Sequence, residues 1–224
     1  MTWIRNMENE RISDFFKAQT HLFIKQVKNW GEILIGFEAK NKYKVLDSHG
    51  MEHGFIVEKG AGILAFFIRW ISRSHRPLDV RVYDSKQNEI LKYQRPFYFF
   101  FSTAHLYDSQ DQVIGRIDQK FAIFKKKYQI SDHQDNVVGE IESGFFKFFQ
   151  FEIQNRMGQK IGEVKKKWGG LLKEVFADHD TFGLSMNEEL DTRTKALIFA
   201  TAISIDFDYF EDNQGGNSPL QIFD

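Results

Sequence analysis

The sequence predicts a closed antiparallel β-barrel wrapped around a C-terminal apolar helix, and three observations predict it. The first is a repeat: Ile114-Gly115-Arg116-Ile117 recurs as Val138-Gly139-Glu140-Ile141 and as Ile161-Gly162-Glu163-Val164, with the glycines 24 and 23 residues apart. A polar cluster precedes each copy, at Asp108 to Asp111, Asp132 to Asn136 and Asn155 to Gly158. Before the clusters lie runs such as Tyr128-Gln129-Ile130 and Phe149 to Ile153, which alternate with the period of half-buried strands. Strand, turn, strand is a hairpin, and Asp, Asn and Gly supply its turn geometry.

The second observation is that two earlier stretches fit the same template. They are Tyr43 to Val57, turning at Asp47-Ser48-His49-Gly50, and Val80 to Tyr93, turning at Asp84 to Asn88. Five hairpins and a strand near His21 to Val27 make eleven or twelve strands. A meander of that size closes to remove its edges. Solenoid stacking is the rival arrangement, and the hairpin character of the repeat favours the barrel.

The third observation is the run Ala196 to Ile205, apolar on every face apart from Thr201 and Ser204. A helix apolar all round is buried, in protein or in lipid. Crossing a bilayer takes about 20 apolar residues, and Asp206 and Asp208 stop this run short, so it reads as a core helix of about residues 192–208. The expected division is an N-terminal segment 1–19, the barrel with its helix over 20–211, and a loose tail 212–224 rich in Gly and Asn.

Composition bounds the function classes. The 30 basic and 31 acidic side chains leave no whole-molecule field for nucleic acid or membrane, so any such attraction is local. With no cysteine there is no disulfide, thiolate zinc site, thiol nucleophile or palmitoylation. Met1 to Glu10 lacks the apolar stretch of a secretory signal and Thr2 rules out N-myristoylation, so a cytoplasmic address is expected. The His residues are scattered, and no HExxH, GxSxG or phosphate loop is present. No catalytic set is expected, and the chain reads as a protein that does no covalent chemistry.

Several stretches, taken in order, resemble the phospholipid scramblase family. They are Gly36-Phe37-Glu38 with Asn41-Lys42-Tyr43, then Arg76-Pro77, Val82-Tyr83-Asp84 and Arg95-Pro96. The closest part runs from Ile161-Gly162 through Trp168, Gly170-Leu171-Leu172, Asp178, Asp180, Phe182-Gly183, Leu190-Asp191 and Lys195-Ala196 to Ile205-Asp206-Phe207 and Phe210-Glu211. The resemblance implies the tubby C-terminal fold, a twelve-stranded barrel around a central helix. It also implies calcium-dependent, bidirectional movement of phospholipid between leaflets and attachment to a membrane, with the inner face of the plasma membrane as the address. The Pro-rich extension and cysteine cluster of the better-known animal members are missing here, which weakens the case for permanent anchoring. The alternative is a soluble tubby-like module that binds or tethers anionic lipid or phosphoinositide and moves none.

Two candidate sites follow. Asp178 to Glu189 lies where the family has its proposed calcium loop. Counted as a twelve-residue loop, it would use Asp178, Asp180, Glu189 and the carbonyls of Phe182 and Leu184, with Gly183 at the sharp turn. So few carboxylates predict weak binding, about 10⁻⁴–10⁻³ M. The competing reading is a polar connection ahead of the helix, with Asp191 or Thr192 as its N-cap. The second candidate is an anionic-lipid surface on Lys125, Lys126, Lys127, Lys165, Lys166, Lys167 and Trp168, where each Lys is worth about 1 kcal/mol at a membrane. Its competitor is edge-strand protection by lysine. Two apolar stretches, Gly60 to Trp70 and Phe97 to Phe101, read as buried structure rather than lipid contacts.

Overall fold

A computed structural model describes residues 10–27, 39–59, 75–121, 125–144, 150–166 and 181–210, with the side chains of 39, 40, 125, 126, 143, 144, 209 and 210 left aside. Twelve strands form one closed barrel in which each strand pairs antiparallel with its sequence neighbour. They are β1 (His21–Gln26), β2 (Ala39–Leu46), β3 (Glu52–Lys59), β4 (Leu78–Asp84), β5 (Glu89–Arg95) and β6 (Thr103–Asp108). The second half is β7 (Val113–Lys120), β8 (Lys125–Asp132), β9 (Val137–Gly144), β10 (Gln150–Gln154), β11 (Lys160–Lys165) and β12 (Thr181–Met186). Closure comes from β1 on β12, with Leu22 opposite Leu184 and Ile24 opposite Phe182. Among the described strands no edge is left for another chain to extend.

One turn, used five times, makes one end of the barrel. Asp47 Oδ1 accepts from the amides of His49 and Met51 at 2.8 and 2.9 Å. Asp84, Asp108, Asp132 and Asn155 each do the same for the residues two and four further on, all at 2.8–3.0 Å. The fourth turn residue takes a positive φ in every case: Gly50, Gln87, Asp111, Asp135 and Gly158. This is an Asx turn feeding a left-handed position, which explains the recurrence of Asp and Asn at the first place.

The C-terminal helix threads the lumen from that end to the other. Asp191 caps it by accepting from Arg193 N and Thr194 N, and it runs Thr192–Ile205 before a wider turn over Asp206–Phe210. Every residue from Lys195 to Ile205 is buried, as the all-round apolar pattern requires. The sequence repeat now has a cause. At Gly115 a Cβ would lie 2.2 Å from Ser131 O and 2.9 Å from Leu197 Cδ2, and at Gly162 it would lie 3.4 Å from Ile198 Cγ2. None of the three has room for a side chain: Gly115 and Gly162 meet this helix, and Gly139 meets Ile130, Ile153 and Ile161 of the wall.

A second helical segment, residues 10–16, had no counterpart in the sequence reading. It plugs the tight-turn end of the barrel. Phe16 is fully buried with its ring centroid 5.5 Å from that of Phe199. Phe15 O accepts from His53 Nε2 at 2.8 Å, and the buried Lys195 ammonium donates to Lys17 O at 3.1 Å. Burial pushes the pKa of Lys195 down.

Candidate functional site

The two ends of the barrel differ in charge. The turns that close one end carry Asp47, Asp84, Asp108, Asp111, Asp132, Asp135, Glu188, Glu189 and Asp191 against Lys86 and Arg156. At the other end, here called the open end, strands reach long connections, and the bases collect there. Lys120 ends β7, Lys125 to Lys127 start β8 and Lys165 ends β11, followed by Lys166. Lys25 and Lys59 stand at the same end of β1 and β3. Lys120 and Lys127 are register partners across β7 and β8.

Lys125 to Lys127 and the pair Lys165 and Lys166 therefore share one rim. From β8 to β11 the ladder crosses β9 and β10, three steps of about 4.8 Å, so the runs stand about 14 Å apart. The β11 run is partly neutralised: Glu163 holds Lys165 at 3.0 Å and Lys160 at 2.9 Å. Burial works to raise the Glu163 carboxyl, but the hydrogen bonds from Lys160 and Lys165 outweigh it and hold its pKa low. Other carboxylates near the rim are Asp118, paired with Arg116 and Lys120, Asp79, paired with Arg81, and Glu142, the register partner of Lys127. Lys167 and Trp168, and the side chains of Lys125 and Lys126, lie outside the described residues.

Inside the same rim, a polar cluster that sequence reasoning missed closes the lumen. Arg95 points inward from the end of β5 and pairs with Asp208, which also accepts from Tyr128 Oη at 2.6 Å. The Arg95 guanidinium lies over the Tyr98 ring, 5.0 Å from its centroid. One turn deeper, Tyr93 Oη meets Ser204 Oγ at 3.0 Å. Burial pushes the Tyr93 phenol up to about 12, and burial followed by the Asp208 charge pushes Tyr128 well above its usual range. Alongside, Arg76 pairs with the buried Glu58, which also accepts from Asn41 Nδ2 at 2.7 Å. Arg76 also covers the Phe207 ring at 5.6 Å. These cations already have carboxylate partners, so the cluster seals the mouth and fixes the helix exit. Asp206 and Asp208, which ended the apolar run, thus mark the barrel rim.

Of the residues in the proposed calcium loop, Phe182, Leu184 and Glu189 are described, and they do not share one loop. Phe182 and Leu184 belong to β12, point into the core and are buried, and their strand pairs with β1 and β11. Four strand steps separate Phe182 from Met186, about 13 Å, and Glu189 lies beyond, in the turn at the far end. The structure does not bring Glu189 to Phe182 and Leu184. Asp178 and Asp180 are outside the described residues, and among the described residues no group of three or more His, Cys, Asp or Glu could hold a metal. The other side of the alternative holds at Asp191, which caps the helix.

A further correction concerns Phe97 to Phe101, expected in the core. Phe99 and Phe100 are 75% and 84% exposed and Phe101 is 47% exposed. Pro96 cannot donate to the ladder, so β5 ends at Arg95 and the connection leaves the wall at the open end. The stretch Gly60 to Trp70 lies outside the described residues. Among those residues no helix is long and apolar enough to cross a membrane.

Residues 1–212 match the family model described as Scramblase. A phospholipid scramblase family protein of Schizosaccharomyces pombe is 23% identical over 89% of this chain and 61% of its own length. Phospholipid scramblase 1 of Homo sapiens is 26% identical over 80% of this chain and 59% of its own. Altered inheritance rate of mitochondria protein 25 of Saccharomyces cerevisiae is 25% identical over 80% of this chain and 66% of its own. The chain thus spans about three fifths to two thirds of the length of these relatives. Twelve antiparallel strands closed around a buried C-terminal helix, and a family match running from the first residue to beyond the end of that helix, lead to one conclusion: the chain belongs to the Scramblase family.

Proposed function

We propose that this protein works at a phospholipid surface, docking on anionic lipid by the open end of its barrel, without covalent chemistry. The observation that carries this is the charge division: Lys120 and both lysine runs on one rim, and the acidic turns on the opposite end. An anionic bilayer attracts the first end and repels the second, which sets an orientation as well as an affinity. The cytoplasmic leaflet carries the anionic lipids that such a rim suits, so the address proposed is peripheral, on the inner face of the plasma membrane.

Co-sedimentation with vesicles containing phosphatidylserine or a phosphoinositide tests this. Three lysines at about 1 kcal/mol each supply on the order of 100-fold in partition, so changing Lys125, Lys126 and Lys127 to Gln weakens pelleting by up to that factor. Lys165, Lys166 and Lys167 changed to Gln give a loss of the same order, because each run faces one carboxylate, Glu163 beside Lys165 and Glu142 opposite Lys127. The 14 Å between the runs exceeds the Debye length of about 8 Å at physiological salt, so the two losses add. Equal pelleting by wild type and both variants leaves only edge protection as the purpose of the lysines.

The names of the relatives favour a second reading, bidirectional phospholipid movement between leaflets, calcium-dependent as the family resemblance implies. In that case docking is the first step, and calcium would use Asp178 and Asp180 in a local loop without Glu189. Leaflet exchange in dye-lipid liposomes, with calcium and with chelator, separates the readings. Exchange above protein-free liposomes requires transport, and binding without exchange leaves a docking module.

A further inference from the structure

We propose that the connection between β5 and β6, with Phe121 beside it, is an aromatic wedge that inserts into the interfacial layer of the anionic bilayer. The proposal rests on the reading that the open end faces lipid, and it adds the apolar half of the contact. Phe99, Phe100, Phe101 and Phe121 are 75%, 84%, 47% and 70% exposed. Phe101 and Phe121 meet edge to face with centroids 6.1 Å apart, so the two connections present one surface. A contiguous exposed aromatic patch marks an interaction site, whereas scattered single apolar residues do not.

The wedge is held out by its ends. Tyr98 N donates to His75 O at 3.4 Å, and Arg95 stacks on the Tyr98 ring. On the far side Gln119 N donates to Ser102 O at 2.8 Å. Pinning at 98 and 102 leaves residues 99–101 projecting, so little ordering is lost when they are buried.

What covers this patch follows from its surroundings. Lys120 directly precedes Phe121 and is the register partner of Lys127, so the rings sit beside the basic rim. Rings that can enter the acyl boundary, next to lysines at headgroup height, are the composition of an interfacial anchor. A soluble protein partner with an acidic rim is the competing occupant, and the experiment below distinguishes it.

The chain has no cysteine, so Phe100→Cys accepts a single environment-sensitive dye with one exposed change. Met157→Cys, 84% exposed at the acidic end, is the control. With phosphatidylserine vesicles, the dye at 100 moves to shorter wavelength and is quenched by lipids carrying a nitroxide high on the acyl chain, while the dye at 157 does neither. Changing Phe99, Phe100 and Phe121 together to Ser weakens vesicle partition about tenfold or more at a salt concentration that screens the lysines. Wild-type pelleting with an unmoved, unquenched dye at 100 overturns the wedge and leaves the lysine surface intact. A shift that appears without vesicles as protein is concentrated, or only with added soluble protein, assigns the patch to a protein partner and also overturns it. Failure of wild type to pellet with anionic vesicles at any salt overturns the membrane reading itself and takes the wedge with it.

Discussion

Replacing Asp208 by Ala removes the group that ties the helix exit to the barrel wall. The Arg95 and Asp208 side chains are 1% and 4% exposed, so the guanidinium would be left buried without its carboxylate. Breaking such a pair costs about 3–5 kcal/mol, and within that total the Tyr128 hydroxyl also loses its acceptor. For a chain of this size about 1 kcal/mol shifts the midpoint by about 2–4 °C, so a fall of about 6–20 °C is expected. Urea unfolding of Asp208→Ala, Arg95→Met and the double variant measures the coupling. A further double variant, Arg95→Met with Asp208→Leu, recovers most of the loss, because neither charge is then buried alone. A loss below about 1 kcal/mol for Asp208→Ala, the range of exposed pairs, would show a wet mouth and refute the idea that this cluster seals the lumen.

Three other outcomes follow from the same structure. Gly115→Ala sets a methyl against Ser131 O and Leu197, and overpacking of that kind costs about 1–3 kcal/mol; denaturant midpoints equal to wild type would contradict it. The Glu163 carboxyl is held below its usual 4.5. A depressed carboxylate contributes stability that is present above its unfolded value and is lost as pH falls through the folded one. The stability gap between wild type and Glu163→Gln is therefore full at neutral pH and closes in acid, and a gap that does not change with pH contradicts the Lys160–Glu163–Lys165 arrangement. Calorimetry with calcium gives no micromolar site, and Asp178→Ala with Asp180→Ala changes little; a micromolar site abolished by that pair would show that those two aspartates recruit ligands from elsewhere.

The barrel was legible because its signals are local. An Asx turn needs its Asp or Asn at one place, and a glycine follows seven residues after Asp47, Asp108, Asp132 and Asn155. That spacing is visible in the chain before any contact is known. The helix was legible because burial on every face leaves a run without polar residues. The seal was not. Arg95 and Asp208 are 113 residues apart and meet only because β5 and the helix exit reach the same rim. The lysine runs were visible as runs, but that they share a rim required the strand order. Gly183 reads equally well as a turn residue and as a strand residue; the pairing of β12 with β1 and β11 makes it the latter and sets Phe182 and Leu184 apart from Glu189. Phe97 to Phe101 misled for the opposite reason: a phenylalanine run looks like core unless something, here Pro96, takes it off the wall.

Which end of the barrel meets lipid is the central question, and amide hydrogen exchange answers it directly on the whole protein, free and bound to phosphatidylserine vesicles. Binding should slow exchange over residues 96–102 and 119–127 and at the end of β11. The five Asx turns, from 47–51 to 155–159, should exchange as in the free protein, and the helix Thr192–Ile205 should stay slow in both states. Protection at the Asx turns with none at the open end would contradict the orientation, and faster exchange of the helix on vesicles would show that it leaves the lumen to enter the membrane.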